Sequence, residues 1–288
     1  MAKYLLGLDC GHTVTKAVLF DLAGNEIASG KGANEQISLH PGWQERTMEA
    51  AASAATSAIK EAIAGINPDE IIALGVCGHS DGLYLLDKNN KPLRNAIFAT
   101  DNRAKDIADR LAKSVGDKLL NLIGQFLFPA SPAALLVWLK ENEPENYKNI
   151  GAVLHCKDWI NAHLTGVVAE DVSDSAGSYV DMHTYEISDE VLELTGLTEI
   201  KSSLKVPSFS TQVIGTITKE ISELTGLSEK TKVIAGAHDV HAAAVGVGAY
   251  EFEETSLIFG TWSINQVFAD KPIPDNRWHT RASVEPNR

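Results

Sequence analysis

The chain has 288 residues, 44% of them hydrophobic, enough to bury a large core in one big domain or two ordinary ones. Acidic side chains outnumber basic ones 38 to 25, and the formal charge of -13 opposes binding to a phosphate backbone or an anionic membrane surface. Cys10, Cys77 and Cys156 lack the spacing of a zinc site or disulfide framework, and the apolar run before Lys16, interrupted by Asp9, is too short for a membrane span or signal core, so a reducing cytoplasm is the expected setting.

In chain order, residues 4–8 predict a compact apolar strand, 9–13 a polar turn containing Gly11, and 15–21 a second, alternating strand. Turn chemistry at Ala23, Gly24, Asn25 and Glu26 leads to a third strand at 27–29, so the chain opens as an antiparallel meander. Thr47, with Glu49 and Ala50 after it, predicts the start of an alanine-rich helix running to about residue 64. Asn67, Pro68 and Asp69 precede an apolar run at 71–77, the pattern of a strand buried on both faces. Strands followed by a helix and another strand indicate an α/β sheet. Beyond Asp101 the pattern is mainly helical, with helices expected at 102–114, 132–142, 157–164 and 190–195 as insertions into that sheet. α/β character returns with a helix at 218–224, a strand at 232–235 and, after a glycine turn, a helix at 239–246. Residues 255–259, Gly260 with Thr261, and 263–268 then repeat the strand, Gly/Thr turn, strand plan of the first hairpin. Two related domains are therefore expected, 1–248 and 249–288, the second present only as its opening.

Three places carry candidate chemistry. At the first hairpin tip Gly11 lets backbone N–H groups face outward and Thr13 adds a hydroxyl, a set that can hold phosphate oxygens without a lysine, while Asp9 can hold a hydrated Mg2+. An ordinary hairpin turn uses the same residue types. Gly260 and Thr261 supply a matching tip, so a phosphate chain could be gripped from two sides. Asp239 lies at the mouth of a small-residue helix, where free helical N–H groups would keep its carboxylate ionised; a helix N-cap is the blander role for the same residue. His238 and His241 flank it without a third ligand spaced nearby, which favours packing over metal ligation.

Together the first tip, residues 236–239, and Gly260 with Thr261 resemble the FGGY family of carbohydrate kinases, within the actin-like ATPase superfamily. Further landmarks follow in the family's order: Pro41 to Glu45, Gly75 to Asp87, Asp101 with Arg103, Leu135 to Pro144, Lys157 and Asp158, Leu164 to Gly166, Asp171 with Ser173, and Gly215 to Gly226. The resemblance implies an α/β fold of actin-like ATPase (ribonuclease H-like) type with helical insertions and a truncated second domain. It also implies ATP-dependent phosphorylation of a sugar hydroxyl, with Asp239 as the catalytic general base. Asp9, Gly11, Thr13, Gly260 and Thr261 would form the ATP phosphate site, and Asp9 would hold Mg2+ through water. Ser80 and Asp81 match positions that contact substrate hydroxyls, and Trp43, Asp101 and Arg103 match wall or support positions. The chain departs from the family pattern at His79, where Gln is usual, at Cys77, where Ser or Thr is usual, and at Ala99, where Trp often precedes the Asp matched by Asp101. The style of Gly82 to Asp87 with Gly260, Thr261 and Trp262 is closest to kinases of L-xylulose or 3-keto-L-gulonate type. Expected partners are a small-molecule sugar or polyol, with no nucleic acid and no membrane, and a homodimer is left open. The adenine pocket is expected in a later part of the chain, so this stretch alone is expected to be inactive. A noncatalytic sugar- or partner-binding module is the alternative from another class, and an actin-like transcriptional regulator is opposed by the charge.

Overall fold

The computed structural model describes residues 3–259 and 263–284. Strands β1 (Tyr4–Cys10), β2 (Val14–Asp21) and β3 (Glu26–Ala33) form the expected antiparallel meander, with Leu8 opposite Ala17 and Val18 opposite Ser29. After the short strand β4 (Glu45–Arg46), Thr47 caps α1 (Met48–Ala62) by accepting the Ala50 N–H at 3.1 Å. The chain continues through β5 (Ile71–Gly78), β6 (Tyr84–Asp87), β7 (Ala96–Ile97), α2 (Lys105–Ile123), α3 (Pro132–Asn142) and α4 (Pro144–Lys148). Next come β8 (Ile150–Leu154), α5 (Cys156–Thr165), α6 (Val172–Ser175), α7 (Asp189–Thr195), β9 (Val213–Thr216) and α8 (Lys219–Thr225). β10 (Lys232–Ile234), β11 (Ala237–His238) and α9 (Asp239–Gly246) precede the hairpin of β12 (Thr255–Phe259) and β13 (Ser263–Val267).

The main sheet runs in the order β3-β2-β1-β5-β10-β9, and β11 carries on beside β5 where β10 leaves off. Its centre, β1, β5 and β10, is parallel, and both flanks are antiparallel. Helices α1, α5 and α8 share one core with this sheet, built on Leu6, Leu8, Leu19, Ile59, Leu74, Val76, Ile160 and Ile221. The alanines of α1 matter here: a Cβ at Gly30 or Gly32 would fall on the carbonyl oxygens of Ala58 and Ala54. Small residues on both elements let helix and strand backbones approach closely, which a larger side chain on either would prevent. The sheet's other face is more open, with Leu5 41% and Ile72 36% exposed. β5 therefore alternates instead of being buried on both faces, a correction to the expectation from its apolar run.

A second core joins β6 and β8 to α2, α3 and α7 through Leu83, Leu85, Leu111, Leu135, Leu139, Val153 and Leu192. These are the helical insertions expected after Asp101. α2 runs well past its expected end at residue 114, because Leu119 and Ile123 still have apolar neighbours to bury and the helix stops only at Gly124, in the left-handed conformation. Among the described residues no helix is long and apolar enough to cross a membrane.

Candidate active site

The parallel strands β1, β5 and β11 end at one edge of the sheet, and their register sets the chemistry there. Asp9 lies beside Cys77 and Cys77 beside Ala237, while His238 lies beside Gly78. Asp9 is thus a strand residue, and the turn starts only after Cys10; pairing with β5 extends β1 beyond the apolar run. Such an edge, outside the carboxyl ends of parallel strands, is where α/β sheets gather ligands.

Asp239 reaches the same edge as the first residue of α9. The approach is fixed by Gly236, whose φ of 75° is left-handed and whose Cβ position would coincide with the Val76 carbonyl. The helix-cap position is taken by His238, which makes no side-chain capping bond. Asp239 Oδ1 accepts the Val240 N–H at 2.7 Å and lies 3.0 Å from His238 Nε2. Burial alone would raise the Asp239 pKa, but the hydrogen bond and charge of His238, with His79 and the Val240 N–H, hold it below the usual carboxylate range. Asp9 is pushed the other way, first by burial and then by the negative charge of Asp239. The two carboxylates are near enough to repel, and their pKa values are driven apart. The donors at this edge, the Asp9 carboxylate and the Thr13 hydroxyl, are hard oxygens of the kind that suit Mg2+.

The two histidines expected to pack do so: His238 Nδ1 and His241 Nδ1 are 3.1 Å apart, and burial, helped by His238 and Arg281, pushes His241 down to about 3. Below them lies a buried ionic network that anchors this corner. The His238 N–H donates to Ser173 Oγ at 2.9 Å, the Ser173 hydroxyl donates to Asp171, and Ser210 Oγ donates to Asp171 Oδ2 at 2.8 Å. Lys157 Nζ sits 2.6 Å from Asp158, 3.0 Å from Asp174 and 3.2 Å from Asp171. His155, Asp158 and Asp174 could by spacing hold a metal ion, but the Lys157 ammonium already lies against Asp158 and Asp174 as their cation. Burial would lower the His155 pKa, yet Asp174, Asp158 and Glu170 push it up to about 10.

At the first tip Asn34 pins the turn, donating to Gly11 O at 2.8 Å and to Thr15 Oγ1 at 3.1 Å, while its N–H meets Thr13 O at 3.2 Å. Thr13 is exposed and Gly11 half-buried. Gly260 and Thr261 lie outside the described residues; β12 and β13, which flank them, pair with Phe259 opposite Ser263.

Facing Asp239 across the edge is the loop that follows β5. His79 Nε2 lies 3.1 Å from Tyr84 Oη, which also accepts from Arg46 Nη2 at 2.7 Å. His12 packs edge-on against His79, ring centres 4.2 Å apart, and burial pushes its pKa down to about 3. Ser80 and Asp81 are buried, and both are engaged by Arg281, a residue the sequence reading did not single out. Trp43, Asp101 and Arg103 form a second, linked unit. Asp101 Oδ1 accepts from Arg103 N and Nε, at 2.8 and 2.9 Å. Asp101 Oδ2 accepts from Gln44 N at 2.7 Å and Arg103 Nη2 at 2.9 Å. Arg103 also pairs with Glu45 at 2.7 Å and stacks 4.2 Å over Trp43. Both side chains are fully enclosed, so neither Asp101 nor Arg103 offers a surface that a ligand can touch. Shallow depressions elsewhere, one lined by Val167, Ala169, Ser208 and Gln212 and another by Lys3, Asp69 and Ser228 at the opposite end of the sheet, gather no comparable set of carboxylates.

Residues 4–246 match the FGGY family of carbohydrate kinases, N-terminal domain. The chain is 35% identical over 268 residues to the L-xylulose/3-keto-L-gulonate kinase of Escherichia coli (strain K12), covering 92% of this chain and 54% of that protein. It is 32% identical to a probable L-xylulose kinase of Pasteurella multocida (strain Pm70), covering 91% of this chain and 55% of that one. Among solved structures, a ligand-bound xylulose kinase from Lactobacillus acidophilus superposes with a TM-score of 0.88 at 28% identity, over 94% of this chain and 55% of that one. A xylulose kinase from Rhodospirillum rubrum gives 0.93 at 25% identity, over 99% and 59%. The chain spans about half the length of the curated relatives it matches.

Proposed function

This chain belongs to the FGGY family of carbohydrate kinases, and we propose that it is the sugar-binding part of an ATP-dependent kinase that phosphorylates a hydroxyl of a small sugar or polyol. The observation that carries this reading is Asp239: an ionised carboxylate at the carboxyl edge of the parallel strands, opposite a loop lined with Ser80 and Asp81. Both of its hydrogen bonds fall on Oδ1, so Oδ2 keeps its lone pairs for a substrate hydroxyl. That hydroxyl becomes acidic only as its oxygen bonds to phosphorus, so late proton transfer to a weak base already in place suffices. Phosphoryl transfer otherwise needs alignment and charge stabilisation more than covalent help. The N–H groups of the Gly11 to Thr13 tip would face the ATP phosphates, joined by Gly260 and Thr261, and Asp9 would hold Mg2+ through water. Bound there, Mg2+ would supply neutralisation of phosphate charge. Residues 1–248 form the sugar-binding domain in this reading, and 249–288 open a nucleotide-facing one in a cytoplasmic enzyme. The names of the two curated relatives above favour L-xylulose, a neutral ketose, or 3-keto-L-gulonate, a keto sugar acid, as substrate.

Isothermal titration of the chain with ketoses, polyols and sugar acids tests the reading. One of them should bind saturably, and Asp239→Asn should leave that binding measurable. In the complete kinase the same substitution should lower turnover by roughly 10²–10⁴-fold, the usual contribution of a general base. Absence of binding across the panel, or full turnover by Asp239→Asn, refutes the proposal.

A further inference from the structure

After β13 the chain crosses back to the first domain and is tied down around a single side chain. The Thr280 N–H donates to Gly124 O at 2.7 Å, the Ser210 N–H donates to Val284 O at 3.2 Å, and Ala282 packs on Val172 and Ala176. Between these anchors Arg281 enters the loop that faces Asp239. Its Nη1 donates to Ser80 Oγ at 2.5 Å, and its Nη2 to Asp81 Oδ1 at 3.1 Å, Asp81 Oδ2 at 2.9 Å and Gln125 Oε1 at 3.0 Å. The Arg281 side chain is only 9% exposed and that of Asp81 12%, so each charge needs the other to stay out of water. Asp81 also has a left-handed backbone, φ 56°, unusual for a residue with a side chain, at the point where its carboxylate meets Arg281.

We infer that Arg281 is a positioning residue of the sugar site, and that the Arg281–Asp81 pair, neutral as a unit, fits the loop to an uncharged ketose or polyol over a sugar acid. This rests on the sugar-site reading above. Two consequences follow from the geometry. Ser80 and Asp81 present their remaining lone pairs to a ligand in an orientation fixed from 200 residues away. With the guanidinium already matched by Asp81, Arg281 offers a ligand carboxylate no unpaired charge to meet.

Titration of the 288-residue chain with L-xylulose as neutral probe and L-gulonate as acid probe tests this. The parent should favour L-xylulose. Arg281→Met, which strands the Asp81 charge, should weaken L-xylulose binding by roughly tenfold and the acid by more, with Arg281→Lys restoring part of the loss. Asp81→Asn, which uncovers Arg281, should shift the ratio of affinities toward the acid by roughly tenfold. A merely structural pair would change both probes by the same factor. Equal factors, unaltered L-xylulose binding in Arg281→Met, no gain for the acid in Asp81→Asn, or a parent that prefers the acid overturns the inference. A parent that binds neither probe refutes the sugar-site reading instead. If Arg281→Met does not fold, the Asp81→Asn ratio decides.

Discussion

Replacing Lys157 by Met should destabilise the chain far more than removing an equally close lysine from the surface. Lys157 Nζ lies 2.6, 3.0 and 3.2 Å from carboxylates of Asp158, Asp174 and Asp171, and all four side chains are at most 1% exposed. Removing one partner from a buried ion pair costs about 3–5 kcal/mol, most of it the penalty of the charge left behind. Three carboxylates are left behind here, with His155 as the remaining cation beside Asp158, so the upper part of that range is expected. The control is Lys105, also 2.6 Å from its carboxylate partner, Asp109, but with side chains 64% and 55% exposed. Lys105→Met should leave the midpoint nearly unchanged, because water screens the pair. Urea unfolding followed by circular dichroism measures both, as a shift of midpoint at unchanged slope. The Lys157→Met deficit should also shrink on acidification. Burial already raises the Asp171 pKa and Lys157 opposes that rise, so without the ammonium it rises further, and the folded variant takes up a proton and gains relative stability as pH falls. A cost under about 1 kcal/mol for Lys157→Met, or one equal to that of Lys105→Met, would falsify the idea that this network holds the site corner together.

Gly236→Ala should cost about 3 kcal/mol or more, since it adds a Cβ onto the Val76 carbonyl at a left-handed φ of 75°. Thermal denaturation reads the loss, and a wild-type melting temperature would show that the turn before Asp239 has no steric demand. Stability should peak near neutral pH. His12 and His241 are depressed to about 3 from 6.5, so their stabilising effect is complete above the unfolded value and is lost as pH falls toward 3. His155 is raised to about 10 from 6.5, so its contribution is complete below the unfolded value and is lost as pH rises toward 10. Urea midpoints that stay level from mildly acidic to mildly alkaline buffer contradict those environments, as would an alkaline limb unchanged by His155→Gln.

What the sequence made legible was local. The meander, α1 with its Thr47 cap, and α9 starting at Asp239 each follow from periodicity and turn residues within one short stretch. Misreadings came where neighbours distant in sequence decide. Asp9 reads as turn because its own stretch turns polar there, but pairing with Cys77 keeps it in the strand. The helix expected at 102–114 continues as α2 to Ile123, because apolar partners for Leu119 and Ile123 extend it. Lys157, Asp158 and Asp171 stood out only as an ordered set of landmarks, and nothing near them in sequence says that one ammonium serves three acids. Arg281 carried no signal at all, since its meaning lies in the Ser80 and Asp81 side chains it meets.

The difference between a helix cap and a base at Asp239 lies in how its two oxygens are used. A capping carboxylate is satisfied by N–H groups two or three residues into its helix. Asp239 instead takes the N–H of Val240, its immediate neighbour, together with His238, and both act on Oδ1. One oxygen is thereby fixed and the carboxylate stays ionised, while the other oxygen is committed to nothing among the described residues. The His238 backbone is in turn held by Ser173, and Ser173 by the acid that Lys157 neutralises. A cap needs none of that support, because its helix would hold it in place. A base of the kind proposed for Asp239 would have to be held within about 0.5 Å of its hydroxyl, and the buried charges under α9 would supply that rigidity.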